Sequence, residues 1–259
     1  MGASVGSVIN LAVDRLPKGL SIVRPRSYCD SCNCSLAYFD LVPVFSYLLI
    51  RGHCRYCKAA VPMRVVLTEI STGVIFVILY LIYGIGLGFL VVSAMVSLML
   101  VVALIDLEHR LILNRVIYTA ILVLLLLAPF WPEMGISREF PGIPGLLGSL
   151  INSLAAGFGA FLIFLIIFLV HPQGMGGGDS KLAGVVGLWV GYPGVIVALP
   201  IAVVAAGIFA IFLLSFRKMK RRDTIPFGPF LAASAIITFV GRDEIVARCR
   251  DIAAKLICL

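Results

Sequence analysis

The chain has 259 residues, of which 61% are hydrophobic and only 13% charged, with a mean hydropathy of +1.10 and a formal net charge of +8. A soluble domain carries about 25% charged residues, so this composition argues against a soluble globular protein and for a bilayer. Long Leu/Ile/Val runs with little alternation argue against a barrel, because in lipid it is the helix that satisfies its own backbone hydrogen bonds.

Residues 1–13 are apolar but would rise only about 20 Å as a helix, short of the about 30 Å hydrocarbon core. A segment upstream is therefore expected to complete the first span. The stretch lacks a basic n-region and a full apolar h-region, so it does not read as a cleaved signal peptide. From 14 to 64 the sequence turns polar, Cys-rich and Pro-punctuated, and it is the one stretch long enough for a small soluble lobe. Two regions are expected: a short N-terminal helix with this lobe over 1–64, and a multi-span membrane domain over 65–259.

Within the second region the charge-poor stretches 65–83, 89–105, 113–131, 146–170 and 195–216 each approach or exceed the length of a spanning helix. Gly84, Ile85 and Gly86 form a tight turn after the first of them. Gly191, Tyr192, Pro193 and Gly194 divide the apolar stretch 182–216 into unequal arms, read as a hairpin that enters and returns. A last span covers about 230–240, and the mixed-charge tail after it is amphipathic enough to lie on the membrane. The fold class is an all-α polytopic membrane protein of about seven to eight membrane helices with a small cytoplasmic zinc-ribbon-like lobe.

The positive charge reads as topology, not as nucleic-acid binding. Of 21 Lys and Arg, eight lie between Arg15 and Arg64 and five in the run Arg217, Lys218, Lys220, Arg221 and Arg222. Both are short loops to which the positive-inside rule applies, and both are placed in the cytoplasm. Counting spans from there returns Asp106 and His171 to the cytoplasmic side, so that Asp179 shares a side with Asp106.

Cys29, Cys32, Cys54 and Cys57 form two C-x-x-C knuckles separated by 21 residues. Two knuckles present four thiolates to one tetrahedral Zn²⁺, which closes its coordination sphere and makes the site structural. Disulfides are the rival reading, disfavoured by the cytoplasmic placement. Cys34, Cys249 and Cys258 are unassigned, and His53 beside Cys54 reads as solvated.

Ionisable residues at membrane helix ends are functional candidates by default. Asp106 follows an apolar run in ALIDLEHR, and Asp179 lies in GMGGGDSKL, where glycines allow close backbone approach. Each alone reads as readily as a cap or a boundary residue. Together they form a pair that shares a proton, as in aspartic proteases: one carboxylate takes a proton from water while the other hydrogen-bonds the scissile carbonyl. There is no HExxH helix for zinc-dependent hydrolysis. A carboxylate relay in a transporter is the alternative from another class.

These residues resemble the bacterial type 4 prepilin peptidases, whose G-x-G-D motif is shared with presenilin-like intramembrane aspartyl proteases. Gly176, Gly177, Gly178 and Asp179, with Lys181 and Leu182, fit G-x-G-D-x-K-L, and LIDLEHRLILN resembles the first catalytic stretch. GASVGSVINLAVDRLP, the tetracysteine region with DLVPVFSYLLIRGHCRYC, and PFGPFLA extend the likeness over nearly the whole chain. The resemblance implies catalytic Asp106 and Asp179, an active-site loop with Gly176, Gly178 and Lys181, and an inner-membrane location. It further implies prepilin or pseudopilin substrates of type IV pili or protein secretion. Removal of their leader would be followed by N-methylation from S-adenosylmethionine, with Glu69 and Gly73 in LTEISTG as candidates for the methyl-donor site. A peptidase of this fold without methyl transfer is the alternative. Three features depart from the family pattern: Leu113 replaces a proline before Asn114, Asp30 replaces a proline in the first knuckle, and Cys34 is an additional thiol.

Overall fold

A computed structural model describes residues 1–29, 31–136, 140, 143–171, 175–216, 225–242 and 244. Asp30, the basic run 217–222, Pro141 and the tail with Cys249 and Cys258 lie outside the described residues. The chain forms two compact units, Met1–Val101 and Val102–Leu259, with the division inside one long helix.

The first unit contains α1 (Gly2–Arg15), the short α2 (Phe45–Leu49), α3 (Met63–Tyr83) and most of α4 (Leu87–His109). α1 runs antiparallel along α3. A Cβ on Gly2 would lie 2.7 Å from Phe76 Cβ, and one on Gly6 would lie 2.7 Å from Glu69 Cα, so two glycines four residues apart let the helices touch backbone to backbone. Below them Asn10 Nδ2 donates to the Val65 carbonyl at 3.0 Å, and Arg64 pairs with Asp14 at 2.7 Å. Between α1 and α3 the chain makes a lobe held by hydrogen bonds and turns. The buried Arg15 guanidinium donates to the carbonyls of Ser21 (3.1 Å), Pro25 (2.8 Å) and Arg26 (3.2 Å) and so fixes the segment that leads to Cys29. Among the described residues extended pairing is limited to isolated bridges.

The second unit holds the end of α4, then α5 (Asn114–Leu127), α6 (Gly145–Val170), α7 (Gly177–Val190), α8 (Gly194–Ser215) and α9 (Gly228–Val240). The stretch expected as one span over 113–131 is α-helical to Leu127 and then tightens into 3-10 turns at Ala128–Phe130 and Pro132–Met134. Pro129 and Pro132 supply the reason, since neither has an N–H to continue an α-helical ladder.

α7 is the core of this unit. It is apolar on every side, as a helix enclosed by others must be, and from Leu182 to Val190 every residue is buried. It packs on α6 through small residues. A Cβ on Gly157 would lie 2.5 Å from Leu188 Cγ, and one on Gly187 would run into the Ala156 carbonyl. At its far end the α7–α8 turn at Tyr192 is gripped by Asn152 of α6, and α9 closes the unit with Phe239 stacked on Trp189 at 4.9 Å.

α3, α4, α6 and α8 are long and apolar enough to cross a membrane, and Asn114–Phe130 and Gly228–Val240 are shorter apolar helices. Their outward residues are large and apolar, with Leu81 75% and Ile211 69% exposed. Such continuous apolar surface is incompatible with water on all sides and fits lipid contact.

Candidate active site and metal centre

The two aspartates belong to the second unit. Asp106 lies in the last turns of α4 and Asp179 in the first turn of α7, and they are 5% and 8% exposed. Each carboxylate is held by a glycine backbone N–H on Oδ2. Gly176 donates to Asp179 at 3.0 Å within the same turn, whereas Gly228, at the start of α9, donates to Asp106 at 2.8 Å across 122 residues of sequence. The Asp106 charge is felt at Asp179 only as the smallest of three influences, behind burial and the Gly176 N–H.

The glycines around them act by having no side chain. A Cβ on Gly178 would lie 2.9 Å from Ile112 Cβ, which brings the Asp179 turn against the linker that follows α4. That linker turns without a proline: Arg110 has φ +53° and Leu113 is extended ahead of α5. Lys181 does not approach the carboxylates by a hydrogen bond. Its Nζ donates to Asn114 Oδ1 at 2.8 Å and lies 5.6 Å from the centre of the Tyr118 ring, so it ties α7 to α5 near the surface. Sequence reasoning missed Gly228. The Pro226-Phe-Gly-Pro229 string around it was visible, but nothing in it announces which carboxylate it meets.

The four cysteines Cys29, Cys32, Cys54 and Cys57 come together in the first unit, with their sulfurs all within 4.8 Å of one another. Tetrahedral zinc with Zn–S near 2.3 Å separates its sulfurs by about 3.8 Å, and Cys29 Sγ and Cys57 Sγ are 3.8 Å apart. The knuckles share one backbone design. In the first, Asn33 N–H donates to the Cys29 carbonyl and Cys29 N–H to the Cys34 carbonyl; in the second, Lys58 N–H donates to Cys54 and Cys54 N–H to Ala59. Asn33 (φ +54°) and Lys58 (φ +61°) take the left-handed position that turns each chain back. The Cys29 thiol is pulled down to about 7, first by the backbone groups of Cys32 and then of Ser31, whereas Cys32 is pushed up to about 12 and Cys57 also upward, so it takes a cation to hold all four as thiolates. The donor set and its spacing fit a metal. Cys34 is exposed and lies outside the group, and His53 turns Nδ1 to the Arg51 carbonyl at 2.8 Å.

Beside this centre is a cavity of about 310 Å³ whose wall includes Asn10, Asp14, Asp40, Arg64 and Glu69. Glu69 is buried, and its Oε2 accepts the Val44 N–H at 2.8 Å. Gly73 lies one turn further along α3, opposite Ala3, and is not part of the cavity wall.

The fold and these two centres define a multi-helix membrane protein with two buried, glycine-held carboxylates in one unit and a four-thiol centre in the other. Residues 1–83 match the bacterial peptidase A24 N-terminal domain, and residues 93–211 match the type IV leader peptidase family. The prepilin leader peptidase/N-methyltransferase of Pseudomonas aeruginosa is 30% identical over 276 residues, spanning 95% of this chain and 89% of the relative. That of Bacillus subtilis strain 168 is 29% identical over 246 residues, spanning 95% and 94%, and that of Aeromonas salmonicida is 26% identical over 274 residues, spanning 93% and 88%. The chain belongs to the type IV leader peptidase family. No solved structure matches it.

Proposed function

We propose that this protein is an aspartyl endopeptidase of the inner membrane that removes the leader of prepilin-like proteins at the cytoplasmic face, with Asp106 and Asp179 as its catalytic pair. The observation that carries the reading is two buried carboxylates, each oriented by a glycine N–H. Each donor engages Oδ2, which leaves the other oxygen of each carboxylate for the reaction. The ionised member takes a proton from water as the hydroxyl oxygen bonds to the scissile carbonyl carbon. The protonated member meanwhile donates to the carbonyl oxygen. Collapse of the tetrahedral intermediate breaks the C–N bond, and the departing amine takes the proton. Gly176 and Gly178 shape the Asp179 turn, and Lys181 anchors it to α5. The cytoplasmic placement is supported by the basic loops.

In the same reading the new amino terminus is then methylated. S-adenosylmethionine supplies an activated methyl group when bound. The cavity in the first unit offers its positive charges the carboxylates of Asp14, Asp40 and Glu69, the first two paired with Arg64 and Arg55 of the same wall. Glu69 serves there as a wall residue that also fixes the Val44 turn, and Gly73 as a packing residue behind the wall. Cys29, Cys32, Cys54 and Cys57 hold a structural Zn²⁺ that keeps the lobe closed around this cavity.

The test is mass spectrometry of a prepilin-like substrate incubated with the enzyme in liposomes, because leader loss and an added methyl group have different masses. Asp106→Asn and Asp179→Asn should each lower cleavage by about 10²–10⁴-fold. Both should still methylate a substrate supplied without its leader. Cleavage retained in either variant removes that residue from the mechanism.

A further inference from the structure

We infer that Gly228 is a positioning residue of the peptidase centre: its backbone N–H fixes the Asp106 carboxylate, and its lack of a side chain is what admits that carboxylate to the start of α9. The inference rests on reading Asp106 as catalytic. Three observations carry it.

The first is chemical. Gly228 is the first residue of α9, where an N–H has no partner inside the helix. Here that N–H is buried and spent on Asp106 Oδ2 at 2.8 Å. The neighbouring position offers no substitute, because Pro229 has no N–H, and the next amides, of Phe230 and Leu231, already bond the Phe227 carbonyl at 3.1 and 3.2 Å.

The second is steric. A Cβ at position 228 would lie 2.8 Å from Asp106 Oδ2, 3.1 Å from its Cβ and 3.2 Å from its Cγ, so any side chain displaces the carboxylate itself. Its φ is outside the left-handed region, so the glycine is there for this approach and not for a turn.

The third is mechanical. Phe227 packs on Phe164 of α6 at 5.8 Å and Phe230 on Phe209 of α8 at 5.5 Å, which ties the segment to two long helices. Asp179 is oriented by its own turn, three residues away. Asp106 is oriented only once α9 has docked, so the start of α9 is a third element of the centre beside the ends of α4 and α7.

The experiment compares wild type, Gly228→Ala, Asp106→Asn and an ester variant in which glycolic acid replaces Gly228, deleting the N–H without adding an atom. In the ester variant kcat for leader cleavage should fall about 10- to 100-fold, the effect of losing a hydrogen bond to a charged group. KM should stay within about threefold, because the lost interaction acts on the reaction and not on substrate binding. Tryptophan fluorescence, from Trp131 and Trp189, and the unfolding midpoint should match wild type. Gly228→Ala should lose at least as much kcat; should it lose its tryptophan packing instead, the ester variant decides. An ester variant with wild-type kcat, or one whose loss lies in KM alone, overturns the assignment. If Asp106→Asn itself cleaves, it is the peptidase reading that falls; if that variant is inert while the ester variant is fully active, only the role of Gly228 does.

Discussion

Truncating Asn152 to alanine should weaken the second unit without weakening its chemistry. Asn152 is fully buried on α6, where its Oδ1 accepts the Tyr192 N–H at 2.8 Å and its Nδ2 donates to the Tyr192 carbonyl at 3.1 Å. One side chain thus satisfies both backbone groups of a residue just past the end of α7, and alanine removes both bonds together. Side-chain hydrogen bonds between membrane helices average about 0.6 kcal/mol and reach about 1.7, and Tyr192 is 47% exposed, so its backbone groups are not fully orphaned. Two lost bonds give an expected loss of about 1–3 kcal/mol. The turn is at the opposite end of α7 from Asp179, about 20 Å away along a 14-residue helix, so kcat at low temperature should stay near wild type. Unfolding in detergent followed by tryptophan fluorescence, alongside leader cleavage, measures both. A stability change below about 0.5 kcal/mol would refute the two-bond argument, and a fall in kcat at unchanged stability would refute the separation of turn from site.

A paired substitution tests the α6–α7 seam. Gly187→Ala pushes a methyl into the Ala156 carbonyl and should destabilise by about 1–3 kcal/mol. Gly159→Ala, two residues along α6 from Gly157, meets nothing within 4 Å and should be neutral or stabilising by up to about 1 kcal/mol, both read as shifts in the unfolding midpoint. Metal analysis should find zinc equimolar with the chain, and a chelator should release it and raise hydrogen exchange across 27–61 while leaving α6 and α7 protected; a metal-free protein with an intact lobe would contradict the four-thiol centre.

How much of this was legible follows from which groups carry a side-chain signature. Asp106 and Asp179 stood out because carboxylates are rare in apolar surroundings, and the four cysteines because two equal knuckles have few other uses. The helices were legible from hydropathy alone, and their ends shifted where proline intervened, as at Pro129. Gly228, Asn152 and the Gly2/Gly6 seam were not legible in the same way. Their partners are Asp106, the backbone of Tyr192, and Glu69 with Phe76, each far off in sequence, and two of the three devices act through backbone atoms that every residue possesses. LTEISTG read as a possible ligand stretch; in the fold Glu69 both lines a cavity and fixes a turn, a double use that no spacing rule separates.

The same constraint explains why glycine recurs at several helix seams of this protein. In lipid, apolar side chains gain little by leaving the solvent, so helices associate through close packing and through hydrogen bonds that have no competing water. Both require backbones to come near one another, which is the condition at Gly2 and Gly6 on α1, at Gly157 and Gly187 between α6 and α7, and at Gly176 and Gly228 beside the aspartates. A polar side chain brought in to orient a carboxylate would itself need further partners when the first contact was broken. A glycine N–H at a helix start needs none, because its position in the helix has already left it free. The carboxylate pair can therefore be held by backbone alone, and its geometry is only as good as the packing of α9 and α7 that delivers those two amides.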